Sequence, residues 1–299
     1  MKSELLLKKI REKYKNYLNF LEEKIKSIVN EKILIPQFIT QGKRLRALAF
    51  IIALKNHNLL NEITLNLAIS IELLHASSLI HDDIIDNDEF RRESLTLNKS
   101  YGNTIAVLSG DYVFIKSLEF AKNYQNFLIL EEFISTAKKM VKGEFLEEFL
   151  SIEEKLNENV YLDIIYNKTG SLFEYALACS EIVIKGNSYN LKNAGKMLGI
   201  AYQIIDDCED LINDINKNKI TLPLIYTYHY KSNVLNKLND IEYIKRTIRE
   251  SKAVEKTINL ALYYLNEFEK AIDDNLKIEF EDYINYLKFR AFECNEQFS

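Results

Sequence analysis

Length, composition and charge already exclude several classes of protein. The chain has 299 residues, 47% of them hydrophobic and 28% charged, which is typical of a folded globular protein and not of a disordered one. With only 8 glycines and 2 prolines, it favours long helices over folds built from many short strands and tight turns. The net charge of −5 gives no general attraction to nucleic acid, which we do not expect as a partner.

Cysteine usage and hydropathy predict a compartment. Cys179, Cys208 and Cys294 are far apart, odd in number and form no Cys-x-x-Cys pair, which favours a reducing, cytoplasmic setting. The N-terminal stretch mixes charge with apolar residues, unlike a signal peptide. The longest unbroken apolar run, residues 47–54, is far shorter than a membrane span, so we expect no transmembrane segment.

Helical periodicity begins near the N-terminus. Residues 4–32 carry apolar side chains on one stripe and predict an amphipathic helix. Pro36 marks a break, because proline cannot continue a helix. A second helix is expected to begin near Gly42 and to run past Leu54.

The centre of the chain predicts a buried helix followed by a loop. Residues 62–86 are apolar on all sides and nearly free of charge until His81, which is typical of the middle of a bundle. Residues 87–102 are polar and predict a loop. The further predicted helices cover residues 103–125, 128–155, 159–184, 188–212, 220–229, 241–251, 253–272 and 276–292. No linker or repeat divides the chain, so we expect one all-α domain over residues 1–299, built on a central helix bundle.

The pattern Asp-Asp-x-x-Asp occurs twice, each time at the end of an apolar helical stretch. Its acids share a helix face, and two carboxylates roughly 5–6 Å apart repel by about 3 kcal/mol at an effective dielectric near 20. Either each motif is a solvated helix end, or a divalent cation neutralises it, and oxygen ligands suit Mg²⁺ or Ca²⁺. The candidate metal ligands are Asp82, Asp83, Asp86, Asp206, Asp207 and Asp210.

Basic residues accompany these acids along the chain. Lys43 and Arg46 are three apart where the second helix is expected to begin, and cations at a helix N-terminus make an anion site. The others are Arg91 and Arg92 after the first motif, Lys168 in a Lys-Thr-Gly that interrupts a helical stretch, and Lys217 and Lys219 after the second motif. Each alone is typical of a protein surface, but beside two acidic motifs they indicate diphosphate binding.

The order of these motifs resembles that of the trans-polyprenyl diphosphate synthases. The matching segments, from residue 40 to about residue 292, are GKRLR, LIHDDIIDNDEFRR, LSGDYVF, KTGSLF, YQIIDDCED and NKITLPL. The resemblance implies an all-α bundle around a central active-site cavity, usually in a homodimer. It also implies a Mg²⁺-dependent reaction that joins an allylic diphosphate to isopentenyl diphosphate.

The resemblance also implies a role for each matching residue. Asp82, Asp83 and Asp86 would hold the Mg²⁺ ions that bridge to the allylic diphosphate, and Asp206, Asp207 and Asp210 would complete the metal cluster. Arg91, Lys168 and Lys219 would clamp that diphosphate, with Lys168, Thr169 and Gln203 near the scissile bond. Isopentenyl diphosphate would be bound by Lys43, Arg46, His75 and Arg92.

The chain departs from the family pattern in three places. Gln41 precedes Gly42, where the family usually has two glycines before the lysine. Glu147 stands where the family often has a glutamine. The segment from Asp210 to Thr221 is about half the usual length and lacks a Gly-Lys whose lysine contacts the diphosphate. We expect Lys217 or Lys219 to replace that lysine.

Small residues near the first motif predict the product length. Ser77 and Ser78 lie five and four residues before Asp82, where bulky aromatic residues in the family stop growth at short products. We therefore expect products of five or more isoprene units. A farnesyl or geranylgeranyl diphosphate synthase is the alternative.

Two other functions are alternatives. Glu72 and His75 form the Glu-x-x-His element of di-iron bundles, which would make the chain an oxidoreductase, but no second copy is present. A terpene cyclase on the same scaffold is the second alternative. Lys43, Arg46 and Arg92, which only a second diphosphate needs, favour condensation over cyclisation.

Overall fold

A computed structural model describes residues 2–29, 37–91 and 94–298. The helices before residue 156 are α1 (Lys2–Lys13), α2 (Lys15–Val29), α3 (Leu45–Lys55), α4 (Glu62–Ile85), α5 (Leu97–Tyr101), α6 (Asn103–Lys122), α7 (Phe127–Phe149) and α8 (Ile152–Lys155). The later helices are α9 (Glu158–Ile165), α10 (Ser171–Lys185), α11 (Asn190–Glu209), α12 (Leu211–Asn216), α13 (Leu222–Tyr230), α14 (Ile241–Ser251), α15 (Ala253–Ala271) and α16 (Asp274–Phe298). The remaining elements are 3₁₀ turns at Gln37–Thr40 and Ser232–Lys237, a π-helical turn at Tyr166–Gly170, and the strands β1 (Phe90–Arg91) and β2 (Ser94–Leu95).

The all-α prediction is confirmed, but the predicted helix 4–32 is wrong in detail. Its described part, residues 4–29, is divided between α1 and α2, which meet at Tyr14. Residues 30–32 and the predicted break at Pro36 lie outside the described residues. The interruption is slight, because the Leu18 N–H still donates to the Tyr14 carbonyl at 3.1 Å, as in a continuous helix. Tyr14 itself is buried, so the apolar stripe continues across the junction.

Part of the loop predicted at residues 87–102 has regular secondary structure. Strands β1 and β2 pair antiparallel with Phe90 opposite Leu95, and α5 follows directly. The Asn98 side chain anchors this segment by donating to the carbonyls of Asp83 at 3.0 Å and Asp88 at 3.1 Å. A two-residue pairing is too short to leave an alternating pattern in the sequence.

Three predicted helices are shorter or interrupted. The helix expected at 188–212 ends at Glu209, and α12 begins at Leu211. The helix expected at 128–155 ends at Phe149, because Ser151 begins the new helix α8 with a capping box. The Ser151 N–H donates to the Glu154 carboxylate at 2.9 Å, and the Glu154 N–H donates to Ser151 Oγ at 3.3 Å. The helix expected at 159–184 is divided by the π-helical turn, at the Lys-Thr-Gly that the sequence marks as an interruption.

The chain divides into two compact units, and the first to be described comprises residues 11–137 and 175–192. Helix α4 packs along α6 and also contacts α2 and α3. Its start is fixed by Asn61, whose side-chain oxygen accepts hydrogen bonds from the N–H groups of Ile63 and Thr64. Near its other end, Gly110 of α6 allows close packing, because a Cβ there would lie 2.3 Å from His81 Nε2.

Helix α4 is apolar enough to cross a membrane when judged by length and composition alone, and among the described residues it is the one helix that passes that test. In its most apolar window, 72% is buried inside the protein. This burial is what the sequence predicts for a central bundle helix.

The second unit comprises residues 1–10, 138–174 and 193–299. Helices α13, α14, α15 and α16 pack together, and α11 approaches the π-helical turn very closely. A Cβ on Gly199 would lie 2.6 Å from Gly170 Cα, so glycine is required for this backbone contact. At the chain ends, Ser3 Oγ of α1 donates to the Glu293 carboxylate of α16 at 2.6 Å.

Candidate active site

The first aspartate motif closes helix α4. Asp82 and Asp86 lie one turn apart and are half-buried, whereas the Asp83 side chain is 2% exposed. Arg91 of β1 donates through Nε to the Asp83 carboxylate at 2.5 Å. Burial raises the pKa of Asp83 to about 6 despite the opposing positive charge of Arg91. Strand β1 therefore places a cation directly against this motif.

The second aspartate motif closes helix α11 and is held by three side chains. Asp207 is buried and accepts hydrogen bonds from the Tyr161 hydroxyl at 2.5 Å and the Gln203 amide at 2.7 Å. Burial raises the pKa of Asp207 to about 8, against the effect of these hydrogen bonds. Asp206 accepts a hydrogen bond from Arg290 of α16, and Asp210 is exposed.

Arg290 is a residue that sequence reasoning missed. Its side chain is 2% exposed, and its Nε donates to Glu209 at 2.7 Å while the guanidinium also binds Asp206. The guanidinium carbon lies 5.2 Å from the ring centre of Tyr202, which adds a cation–π contact. The available signal was a single arginine within an apolar helical stretch more than 80 positions after the motif. Periodicity cannot pair residues so far apart in the chain.

The Lys-Thr-Gly segment forms the π-helical turn. The Asn167 side chain fixes this turn by donating to the Asp163 carbonyl at 2.7 Å. Lys168 and Thr169 are half-buried, and the Lys168 ammonium donates to Glu144 at 2.6 Å and to Glu147 at 2.5 Å. Glu147, the departure from the family pattern, is therefore a direct partner of Lys168. Single turns of π-helix often mark functional sites.

The short segment after the second motif folds as α12 and a tight turn. The Lys219 N–H donates to the Asp214 carbonyl at 2.9 Å, and Lys219 is half-buried. Burial raises the pKa of Asp214 to about 6, and the positive charge of Lys219 opposes that shift. Asp214 was missed from the sequence, although it follows Asp210 by one helical turn.

The GKRLR segment precedes and begins α3. The helix starts at Leu45 and not near Gly42, so Lys43 lies in the preceding loop and Arg46 in the first turn. Lys43 is exposed and Arg46 is 9% exposed. From α1, Arg11 Nη1 donates to the carbonyls of Gly42 at 2.9 Å and Lys43 at 3.1 Å.

The serines proposed to set product length lie on α4. Ser77 is buried and Ser78 half-buried, and their hydroxyls donate to the carbonyls of Leu74 and His75 at 2.9 Å. Both side chains are small, and the hydrogen-bonding capacity of each hydroxyl is used within α4 itself. Farther along α4, Ser70 is completely buried against Ser117 of α6, whose hydroxyl donates to the Ser70 carbonyl at 2.8 Å.

Glu72, the acid of the Glu-x-x-His pattern, is committed to other partners. One carboxylate oxygen accepts a hydrogen bond from the Ala47 N–H at 3.0 Å, and the other pairs with Arg44 at 3.3 Å. His75 is half-buried on the same helix. In the part of the chain that the structure describes, no three or more His, Cys, Asp or Glu side chains form a group that could bind a metal. Both carboxylate oxygens of Glu72 are therefore engaged by Ala47 and Arg44.

The predicted site residues divide between the two units. One unit holds Lys43, Arg46, His75, Ser77, Ser78, Asp82, Asp83, Asp86 and Arg91. The other holds Lys168, Thr169, Gln203, Asp206, Asp207, Asp210 and Lys219. Arg92 lies outside the described residues.

Comparison with known proteins identifies the family. A family model described as polyprenyl synthetase matches residues 31–261, so the chain belongs to the polyprenyl synthetase family. It is 30% identical to octaprenyl diphosphate synthase of Escherichia coli over 203 residues, which is 63% of each protein. It is 31% identical to an all-trans-nonaprenyl-diphosphate synthase of Rhodobacter capsulatus over 222 residues, 69% of this chain and 68% of that protein.

Solved structures confirm the fold. The chain is similar to a decaprenyl diphosphate synthase from Rhodobacter capsulatus with a TM-score of 0.83 and 23% identity, over 95% of this chain and 99% of the other. It is also similar to an isoprenoid synthase family member from Thermotoga neapolitana, with a TM-score of 0.72 and 26% identity. That match covers 90% of this chain and 97% of the other. The fold is therefore the all-α fold of the isoprenoid synthases.

Proposed function

We propose that this chain is a prenyltransferase that condenses an allylic diphosphate with isopentenyl diphosphate in the presence of Mg²⁺. The observation that carries the proposal is the pair of aspartate motifs, each closing an apolar helix and each followed by a cation. Arg91 pairs with Asp83 beside the first motif, and Lys219 follows the second in the turn that Asp214 closes. The names of the octaprenyl and nonaprenyl relatives support the same reaction class.

The residues of both motifs fit Mg²⁺ as the metal. All six candidate ligands are carboxylates, and Mg²⁺ commonly takes one or two carboxylates and completes its shell with water and substrate phosphate. Asp82 and Asp86 offer oxygens from one face of α4, and Asp210 does so at the end of α11. When bound, Mg²⁺ stabilises the negative charge that develops on the leaving diphosphate. Arg290 orients Asp206, and Tyr161 with Gln203 orients Asp207.

The other residues of the site bind the two diphosphates and protect the reaction from water. Arg91, Lys168 and Lys219 clamp the allylic diphosphate, with Thr169 and Gln203 near its scissile bond. Lys43, Arg46, His75 and Arg92 bind isopentenyl diphosphate. As the allylic C–O bond breaks, fixed cations stabilise the departing anion, and the apolar face of α4 keeps water from the carbocation.

The condensation itself needs no protein nucleophile. The double bond of isopentenyl diphosphate attacks the allylic carbon, forming one carbon–carbon bond. The proton lost from the new chain goes to the released diphosphate, which acts as the base. Lys168 is already paired with Glu144 and Glu147, so the diphosphate must compete with these carboxylates for the ammonium.

We assign products of five or more isoprene units to this enzyme. The small side chains of Ser77 and Ser78 support that length, because they leave room that a bulky aromatic side chain would fill. Ser78 lies roughly 6 Å and Ser70 roughly 18 Å before Asp82 at the rise of a helix. A farnesyl or geranylgeranyl diphosphate synthase, with a shorter product, is the alternative that the assay must test.

The functional enzyme is proposed to be a cytoplasmic homodimer. On α6, Leu108 and Ile115 lie two turns apart with 60% and 59% exposed. On α7, Phe127 and Ile134 repeat this spacing with 73% and 50% exposed. Apolar stripes of this kind fit a second copy of the chain. The three cysteines are free thiols, which suits a reducing compartment.

The release of inorganic diphosphate tests the proposal. The purified protein is incubated with an allylic diphosphate, with and without isopentenyl diphosphate, in Mg²⁺ and in chelator. A prenyltransferase releases diphosphate only when both substrates and Mg²⁺ are present. Release from the allylic substrate alone would indicate a cyclase, and no release from any starter would overturn the proposal.

A further inference from the structure

Arg44, the middle residue of the GKRLR segment, has an unusual backbone conformation. It is the N-cap of α3 with φ 55° and ψ 33°, in the left-handed region that is sterically unfavourable for a non-glycine residue. Among the described non-glycine residues with positive φ, three are asparagines, the type that best tolerates this region. An arginine here needs contacts that hold it in place.

The Arg44 guanidinium is buried in a set of four hydrogen bonds. Its Nε and Nη2 bind the two oxygens of Glu22 at 2.9 and 3.1 Å, a bidentate pairing with α2. Nη2 also donates to the Ile39 carbonyl at 2.6 Å, and Nη1 donates to Glu72 of α4 at 3.3 Å. With 5% of the residue exposed, the positive charge is stable only because both acids face it.

Glu72 extends this network to the helix that carries Arg46. Its second oxygen accepts a hydrogen bond from the Ala47 N–H at 3.0 Å, one of the first-turn N–H groups that no helical carbonyl can satisfy. Arg44 therefore fixes both its own backbone and, through Glu72, the first turn of α3. Lys43 directly precedes Arg44 in the chain.

We propose that Arg44 is a positioning residue for isopentenyl diphosphate, an inference that rests on the proposed function. Lys43 and Arg46 lie on either side of Arg44, so its φ and ψ determine the direction of one cation relative to the other. The guanidinium is occupied by Glu22, Glu72 and a carbonyl, and it acts through its neighbours without touching substrate.

Two variants separate the side chain from the backbone. Arg44→Ala removes the guanidinium and keeps the left-handed strain, whereas Arg44→Gly removes the guanidinium and the strain together. If the network positions the site, both variants raise KM for isopentenyl diphosphate at least tenfold and change KM for the allylic substrate less than twofold. If only the backbone conformation matters, Arg44→Gly keeps the wild-type KM and the proposal is wrong.

Glu22→Gln and Lys192→Met complete the experiment. Glu22→Gln keeps Arg44 but weakens its bidentate pairing, so KM for isopentenyl diphosphate should rise by a smaller factor even if both Arg44 variants fail to fold. Lys192 pairs with Glu132 at 2.7 Å, and neither residue is among the hydrogen-bond partners of Arg44. Lys192→Met should therefore lower thermal stability without changing either KM.

The failure of this inference differs from the failure of the proposed function. A wild-type protein that releases no diphosphate from the two substrates refutes the function itself. An active wild type whose Glu22→Gln and folded Arg44 variants keep the KM for isopentenyl diphosphate refutes only the role of Arg44. A rise of similar size in both KM values also refutes it, since a specific positioning effect concerns one substrate.

Discussion

The contact between Gly143 of α7 and the turn that carries Lys168 makes a quantitative prediction. A Cβ at position 143 would lie 2.4 Å from the Lys168 backbone nitrogen and 2.8 Å from its Cα. Real Cβ atoms essentially never approach another atom closer than 3.0 Å, so Gly143→Ala must push the two backbones apart. The Lys168 atoms that the new Cβ would meet belong to the main chain, so no change of side-chain rotamer can relieve the contact.

The stability change follows from two opposing effects. Alanine is favoured over glycine in a helix interior by about 1 kcal/mol. Overpacking typically costs 1–3 kcal/mol and occasionally more, and contact between rigid backbones belongs at the upper end of that range. Gly143→Ala should therefore lose about 1–2 kcal/mol, which lowers the melting temperature by roughly 2–4 °C per kcal/mol.

The same displacement should weaken substrate binding. Moving the Lys168 backbone shifts an ammonium that Glu144 and Glu147 hold at 2.6 and 2.5 Å. We expect KM for the allylic diphosphate to rise roughly tenfold, equivalent to about 1.4 kcal/mol. Thermal unfolding and steady-state kinetics measure the two effects on the same preparation.

Gly110→Ala is the matched control. Its Cβ would lie 2.3 Å from His81 Nε2, an equally short contact, but the neighbour is the far end of a side chain that can rotate. This variant should keep or slightly raise the melting temperature. If Gly143→Ala were as stable as wild type and its KM for the allylic substrate were unchanged, the inference that Gly143 packs directly against the Lys168 backbone would be refuted.

Four further predictions use other parts of the molecule. Asp82→Ala should lower turnover by orders of magnitude at saturating Mg²⁺ while the circular dichroism spectrum stays native; near-normal turnover would contradict its role at the metal. Lys43→Ala should raise KM for isopentenyl diphosphate more than KM for the allylic substrate, and Lys219→Ala should do the reverse; equal effects would reject this division. Ser78→Phe should shorten the products to about three or four isoprene units by chromatography, and an unchanged product would show that the chain does not pass this serine. Despite the opposing effect of partial burial, hydrogen bonds from α1 lower the pKa of Glu293 to about 2. Glu293→Gln should therefore have a lower free energy of unfolding than wild type at neutral pH, and the difference should decrease as pH falls from about 4.5 towards 2. A difference that stays constant with pH would refute the hydrogen bonding of Glu293 to α1.

Helical periodicity was sufficient to predict the bounds of helices whose environment is uniform along their length. Helix α4 is apolar on all sides, and its predicted bounds of 62–86 agree closely with Glu62–Ile85. The same reasoning could not resolve the junction at Tyr14, where the buried stripe continues and only the backbone geometry changes. It also could not reveal the pairing of Phe90 with Leu95, because strands of only two residues leave no period in the sequence.

The candidate site was predicted as a set of motifs, but its internal contacts were not. Like-charge repulsion alone predicts that removing Asp206 relieves strain. The buried Arg290 reverses that expectation, because the change would remove one of its two carboxylate partners and destabilise the fold. Arg44 was likewise hidden, since its partners Glu22 and Glu72 lie 22 and 28 positions away.

The length of the products formed from isopentenyl diphosphate tests the central claim most directly. The wild-type protein is incubated with Mg²⁺, isopentenyl diphosphate and a short allylic starter, and the products are dephosphorylated and separated by mass. We predict a series that increases by one isoprene unit and extends to five or more units. Products that end at three or four units would contradict the long-chain assignment, and the absence of any product longer than the starter would contradict the prenyltransferase function itself.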